Sequence, residues 1–470
     1  MNTPNINDAR KRTKEKVEYV YLNQEYDKNT FANKKYFIRT YGCQMNVHDS
    51  EEIAARLESL GFQPTDNIKG SDIVVLNTCA IRENAHDKLY GFLGRCKHEK
   101  EKNNNDLIIA ICGCMAQEEN VVNELKAKHP YVDIVFGTHN IHELQDLILK
   151  RNEKQNIEVY SCEGEVYENI DYKRDSDIKA WVNIQYGCDK FCTYCIVPYT
   201  RGKQRSRKEK DILKEVEDLI KNGYKEVTLL GQNVNAYGKD LDDGITMDKL
   251  LEDVAKTGIE RVRFITSHPW DFTDEMIDVI AKYDNVMPYI HLPLQSGSDK
   301  ILKLMGRRYT KESYLTLAKK IREKIPNVSL TTDIIVGFPN ETEDDFLDTL
   351  EVVNECKYDG AFTFIYSPRE NTPAAKMNDS ISLEEKQERL QRLNELVNKY
   401  YKENNEKLVG KIVPVLIENV SEKNEELCAG YTDTMKLVNV KCSKEDIGKI
   451  INVKITEAKT WSLNGEKIDE

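Results

Sequence analysis

Cys188, Cys192 and Cys195 stand in the run Gly187-Cys-Asp-Lys-Phe-Cys-Thr-Tyr-Cys195, a C-x3-C-x2-C spacing. Three thiolates can hold three corners of a four-iron cubane and leave the fourth iron open to another molecule. A loop this short can wrap its sulfurs around one face of a cluster without help from distant chain. Zinc sites of the C-x2-C type normally close their tetrahedron with a second pair of ligands. No His and no second C-x2-C lies within 30 residues downstream of Cys195. Disulfide use is disfavoured because nothing marks the chain as secreted.

A second set of thiols emerges only with the elements around it. Tyr36-Phe-Ile-Arg-Thr40, Asp72-Ile-Val-Val-Leu-Asn77, Asp106-Leu-Ile-Ile-Ala-Ile111 and Val132-Asp-Ile-Val-Phe136 read as strands with helices between them. His48 to Leu60 reads as an amphipathic helix, with Ser50 a candidate cap and Gly61 a stop. The series predicts a parallel, flavodoxin-like sheet over residues 34–152. Cys43 follows the first strand, Cys79 the second and Cys114 the third. The carboxyl ends of parallel strands share one edge, where ligands bind. Three sulfurs can therefore meet there and hold a second cluster. The expected third ligand is Cys114, which ends its strand, rather than Cys112.

From Trp181 the alternation resumes. Trp181-Val-Asn-Ile-Gln-Tyr186 leads straight into the cysteine loop, and further strand patterns begin near Lys225, Arg261, Met287, Ser329 and Gly360. A long charged helix spans about Ser382 to Lys407. Six βα units predict a partial (β/α)6 barrel over 178–407, an α/β fold whose site lies at the carboxyl ends of its strands. Those ends are polar: Gly231, Gln232, Asn233 and Asn235 after the second strand, Ser267 and His268 after the third, Gln295 after the fourth, Asp333 in the fifth. Any one could be a satisfied strand-end group. As a ring they favour a cofactor cradle, with His268 as support rather than acid or base. Arg201, Lys203, Arg205 and Arg207 abut the cysteine loop, and Arg307 with Arg308 forms a smaller pair. On an acidic chain these are a candidate phosphate-binding rim.

Residues 1–33, with Arg10, Lys11, Arg12, Lys14 and Lys16, read as a flexible extension, and the acidic residues 153–177 as a linker. From Leu408 onward, strand patterns at 413–417, 427–430, 438–442 and 451–455 predict a small β-barrel over 408–470. Nine lysines and no arginine face eleven acids there, so charge does not argue for an RNA role. The chain of 470 residues has room for about three domains. Its net charge of −12 is the wrong sign for a general nucleic-acid binder, so RNA contact must use local patches. With no apolar signal core and no run long enough for a membrane span, a cytoplasmic protein is expected. Twelve cysteines in such a chain point to metal or redox chemistry; Cys96, Cys162, Cys356, Cys428 and Cys442 are expected to be packing residues.

The chain resembles the methylthiotransferase branch of the radical S-adenosylmethionine (SAM) enzymes. The match rests on Tyr41-Gly-Cys-Gln-Met-Asn46, Asn77-Thr-Cys-Ala-Ile-Arg-Glu83, Gly113-Cys-Met-Ala116, the run from Gly187 to Pro198, Leu230-Gly-Gln-Asn-Val-Asn-Ala-Tyr-Gly238 and Tyr366-Ser-Pro-Arg369. It covers nearly everything from residue 36 onward and makes the last domain a TRAM-type barrel. The resemblance implies two [4Fe-4S] clusters, on Cys43, Cys79, Cys114 and on Cys188, Cys192, Cys195, with SAM at the open iron of the second. It is strongest to members that methylthiolate C2 of N6-isopentenyladenosine at tRNA position 37. Sibling branches act on threonylcarbamoyladenosine or on a ribosomal protein. Implied partners are the anticodon stem-loop, an electron donor such as flavodoxin or ferredoxin, and a sulfur source, acting on a monomer away from membranes. The alternative of another class is a non-catalytic RNA-binding protein stabilised by metal.

Overall fold

The computed structural model describes residues 2–5, 7, 17–80, 85–151, 155–161, 164–421 and 424–468. The cations at 10–16, the end of the Asn77–Glu83 motif and Cys162 lie outside the described residues. Among the described residues no helix is long and apolar enough to cross a membrane.

The first domain is a six-stranded parallel sheet. Its spatial order is Gln63–Pro64, Lys35–Thr40, Ile73–Thr78, Ile108–Gly113, Ile134–Phe136 and Asn156–Glu158. The two central strands are buried along their whole length, as parallel strands covered on both faces must be. The strand order reverses between Lys35–Thr40 and Ile73–Thr78. Such a reversal opens a crevice at the carboxyl ends, the usual ligand position in doubly wound sheets. The last strand, Asn156–Glu158, falls inside the stretch expected to be a linker.

A second departure follows in the same stretch. Glu165–Glu168 pairs in parallel with Glu18–Tyr21, so the expected extension contributes a strand. The signal was one Tyr-Val-Tyr triplet, too short to read without its partner.

The central domain carries Lys179–Asn183, Glu226–Leu230 and Arg261–Phe264 in one run and Tyr289–His291, Ser329–Val336 and Gly360–Ile365 in another. A parallel bridge from Val262 to Val286 joins them, giving the six-stranded open barrel. Its main core packs Val182, Val227, Val262, Ile290, Leu330 and Ile334 against the surrounding helices. The first strand stops at Asn183 instead of running to Tyr186. Gln185–Tyr186 pairs antiparallel with Arg205–Ser206, closing the cysteine loop at its neck. The helix Leu383–Glu406 ends the domain, its Ser382 cap accepting from the Glu385 amide.

The last domain is a closed barrel of Ile412–Ser421, Asn424–Thr432, Leu437–Lys441, Leu463–Lys467 and Ile450–Ala458. The fifth strand, Leu-Asn-Gly-Glu-Lys, has no alternation to announce it. Cys428 and Cys442, expected to be packing residues, are joined as a disulfide, their Cα atoms 5.8 Å apart. This barrel docks on the amino-terminal ends of the central strands. Arg261 donates to the carbonyls of Tyr431 and Pro414, Lys179 pairs with Glu418 at 2.5 Å, and Lys436 with Asp359 at 2.9 Å.

Candidate functional site

Each cysteine of the first set leaves the sheet at its carboxyl edge. Cys43 is the residue before the helix Gln44–Ser59, Cys79 follows Ile73–Thr78, and Cys114 opens a short turn after Ile108–Gly113. The strands carry them into neighbouring positions, since Thr40 pairs with Asn77 and Thr78 with Gly113. A Cβ on Gly42 would lie 2.9 Å from the Cβ of Cys79. Strand alternation alone would put Cys112 and Cys114 on one face. Gly113, at φ +90°, breaks it: Cys112 packs with Ile134 and Phe136 below the sheet, while Cys114 joins Cys79 above it.

The second set sits in a loop pinned on all sides. The Cys188 amide donates to the Gly202 carbonyl at 3.1 Å and the Thr193 amide to Met305 at 2.9 Å. Gly187 adopts φ +71°, and a Cβ there would lie 2.0 Å from the Lys203 carbonyl oxygen. Lys190 reaches from the loop to Asp271 beyond the third strand, at 2.5 Å. Burial opposes the charge on Asp271, but hydrogen bonds from Lys190, Lys239 and Asn233 outweigh it and hold the carboxyl down at about 2.

Burial dominates the thiols. It pushes Cys114 up to about 12 and Cys188 to about 11, and raises Cys195 further. Metal ligation needs thiolates, so loading either set releases protons. Among the described residues no three His, Cys, Asp or Glu side chains converge on a single metal ion. The donor chemistry, three thiols in each of two places, suits an iron–sulfur cluster.

The two sets share a neighbourhood. Ile196 and Tyr199, just past Cys195, pack in the same apolar cluster as Cys79 and Cys114. Thr138 donates to the Thr200 carbonyl at 2.6 Å, and Arg201 pairs with Asp49 at 2.5 Å, both side chains 6% exposed.

That pairing overturns most of the expected phosphate-binding rim. Arg201, Arg205, Arg207 and Arg307 are buried. Arg205 donates to the Glu165 and Arg201 carbonyls, and Arg207 pairs with Glu168 and Glu215. Arg307 donates to Cys192 Sγ at 3.4 Å, Pro293 O and Tyr309 Oη. These guanidinium groups are buried and already donate to carboxylates, carbonyls and a thiol within the protein, which withdraws them from an RNA surface. Lys203 is half-buried, and Arg308 alone of the six is exposed, 4.7 Å over the Trp270 ring.

The strand-end polar groups do gather. Gly231 packs on Gln185, where a Cβ would lie 2.6 Å from Cγ. Asn233 donates to Asp271 at 2.7 Å, and Asn235 Oδ1 accepts from the His268 amide at 3.2 Å. Gln295, at φ +67°, exchanges backbone bonds with Asp333 and Ile335. Asp333 lies 3.4 Å from His291 Nε2. His268 accepts from the Trp270 amide; burial, reinforced by Arg307, pushes its pKa down to about 2, so it is neutral. Buried atoms of Asn183, Gln185, Gln232, Asn233 and Ser267 have no partner. Orphaned buried polar atoms at three adjacent strand ends are costly unless a ligand meets them, which fits a polar cofactor. Sequence reasoning missed Asn183, Gln185, Lys190 and Asp271. Lys190 lay in view between two cysteines; the others carry no local signal.

Three family models match: the Radical SAM superfamily over residues 182–353, Uncharacterized protein family UPF0004 over 35–137, and the TRAM domain over 406–468. The chain is 56% identical to tRNA-2-methylthio-N(6)-dimethylallyladenosine synthase of Bacillus cytotoxicus and 54% identical to that of Bacillus subtilis, each over 99% of this chain and 92% of the relative. Among solved structures it resembles the radical S-adenosylmethionine methyltransferase TsrM from Kitasatospora setae, with a TM-score of 0.52 and 13% identity over 73% of this chain and 77% of that one. The cobalamin-dependent radical enzyme OxsB also gives 0.52 at 13% identity, over 78% and 56%. At these identities the two structures speak for fold alone. With its paired cysteine sets, open barrel and terminal β-barrel, the chain belongs to the radical SAM tRNA methylthiotransferases, a family that works with SAM and two [4Fe-4S] clusters.

Proposed function

We propose that this chain transfers a methylthio group to C2 of N6-isopentenyladenosine at tRNA position 37, with SAM as methyl donor and radical source. The observation that carries the reading is the shared apolar cluster: Cys79 and Cys114 pack together with the residues just past Cys195. Cys43, Cys79 and Cys114 would hold the sulfur-carrying cluster, and Cys188, Cys192 and Cys195 the SAM-binding one. Gly231, Gln232, Asn233, Asn235, Ser267, His268, Gln295 and Asp333 would line the SAM cradle, where the orphaned amide oxygens of Gln232 and Asn233 supply acceptors and the orphaned Ser267 hydroxyl a donor or acceptor. Neutral His268 orients by hydrogen bonding and carries no charge to the site. When bound, the clusters supply one-electron chemistry and sulfur. Proton-transfer catalysis, worth about 10²–10⁴-fold, does not reach the strong, non-acidic C2–H bond. An unstacked anticodon-loop base enters such a pocket at limited cost. An external reductant of flavodoxin or ferredoxin type and a sulfur source complete the reaction, on a cytoplasmic monomer.

Mass analysis of tRNA nucleosides from a deletion strain tests the substrate: the methylthio mark should vanish from isopentenyladenosine. Loss of a mark from another nucleoside instead refutes it. Anaerobic protein should hold about eight irons, four per cubane. Cys43→Ala should still cleave SAM and form no methylthio product; full product would remove the sulfur-carrier role.

A further inference from the structure

Most of the expected RNA rim is buried, yet the chain still has to grip a polyanion. A cavity of about 670 Å³ lies between the strand segment 37–41 and the helix Ala85–Lys102, lined by Phe37, Arg39, Tyr41, Lys88, Gly91, Phe92 and Arg95 among others. Lys88, Gly91, Phe92 and Arg95 follow one helical stripe. Its strand side ends at Tyr41, two residues before Cys43. Among the described residues no acidic side chain lines it and none of its three cations is in an ion pair.

What holds these arginines differs from what holds Arg201 and Arg207. The Arg39 guanidinium lies 4.9 Å over the Phe92 ring and 5.5 Å over Tyr41, and Arg95 lies 4.4 Å over Phe92. A ring face fixes a guanidinium through its plane. The in-plane N–H fork is left free, and that fork matches phosphate oxygens. A carboxylate would have consumed it. Arg39, Lys88 and Arg95 are all exposed, on a chain of net charge −12.

We propose that this groove is an RNA-binding site, taking backbone phosphates of the anticodon loop on Arg39, Lys88 and Arg95, beside the first cysteine set. The proposal rests on the tRNA reading above. Gly91 offers a probe, because a Cβ there meets nothing within 4 Å. Gly91→Glu puts a carboxylate into the groove without disturbing packing, and Arg39→Gln with Arg95→Gln removes two cations. The experiment titrates cluster-loaded protein with a synthetic anticodon stem-loop carrying isopentenyladenosine, across salt concentrations. The double variant should bind at least about tenfold more weakly, with its log–log salt slope reduced by roughly 1.4, two phosphates at about 0.7 each for single strands. Gly91→Glu should weaken binding in the same direction. If the double variant does not fold, Gly91→Glu decides alone. Wild-type affinity and slope in Gly91→Glu overturn the groove. Absence of binding by the unaltered chain overturns the tRNA reading instead, so the two failures are distinguishable.

Discussion

Asp49→Asn removes the only carboxylate bonded to Arg201 among the described residues, across the boundary between the first two domains. Burial disfavours the Arg201 charge and Asp49 restores it. Removing one partner of a buried ion pair typically costs about 3–5 kcal/mol, whereas exchanging both for packed neutral side chains is often near neutral. A cycle of Asp49→Asn, Arg201→Met and the double variant should therefore be far from additive. Each single change should lower the first urea transition by about 3 kcal/mol or more, roughly a hundredfold in the unfolding equilibrium at 1.4 kcal/mol per decade. The double change should cost less than either. There is a second expectation. The Arg201 charge also acts on Cys43 and Cys114, which become thiolates when a cluster binds. The cluster then supplies part of the missing counter-charge, so Asp49→Asn should cost less in loaded protein than in the apo form. Additivity within about 0.5 kcal/mol, or equal costs in the two forms, refutes the reasoning.

Gly187→Ala forces a Cβ against the Lys203 carbonyl at a positive φ, so the cysteine loop cannot close; iron should fall from about eight atoms per chain to about four, and a full complement by iron and sulfide assay contradicts this. Arg307→Gln removes a positive charge donating to Cys192 Sγ, and positive charge favours the more negative, reduced cluster. Its midpoint potential should drop by about 60 mV or more, one decade for a one-electron couple, and an unchanged or raised value in an EPR-monitored redox titration sinks the idea. His268 titrates near 6.5 when unfolded but is held down at about 2 by burial when folded, so below pH 6.5 the unfolded chain binds the extra proton and stability falls as pH falls. His268→Gln should flatten that loss by about 1.4 kcal/mol per pH unit between pH 6 and 4, read from urea midpoints; an unchanged slope contradicts a neutral buried His268.

The βα series and both cysteine sets could be read from the chain because each rests on local pattern. Ile73–Thr78 opens on four apolar residues and Ile108–Gly113 carries no polar side chain but a cysteine, and both are buried over their whole length, as strands covered on both faces are. The C-x3-C-x2-C run needs no distant residue to make sense. The pieces that escaped notice are those whose stability comes from a partner far along the chain. Glu18–Tyr21 is a strand only because Glu165–Glu168 lies beside it. Leu463–Lys467 is held between Leu437–Lys441 and Ile450–Ala458, with a glycine and mostly polar side chains of its own.

The arginines show why the site was harder to read than the fold. A sequence displays charge, and what compensates that charge is decided in three dimensions. Arg201, Arg205 and Arg207 looked like a phosphate-binding strip because Glu209 is the single acid in residues 198–210. Their partners stand outside that run: the carboxylates of Asp49, Glu168 and Glu215 pair with Arg201 and Arg207, Arg205 donates to the Glu165 and Arg201 carbonyls, and buried guanidinium groups so engaged are withdrawn from phosphate. Arg39 and Arg95 attracted no notice, being single cations in separate elements. Folding sets both against the face of Phe92, which holds them in place and leaves their donors free. The difference between a structural arginine and a recognition arginine thus lies in what it rests on, and one aromatic residue between two cations is a pattern no linear spacing reveals.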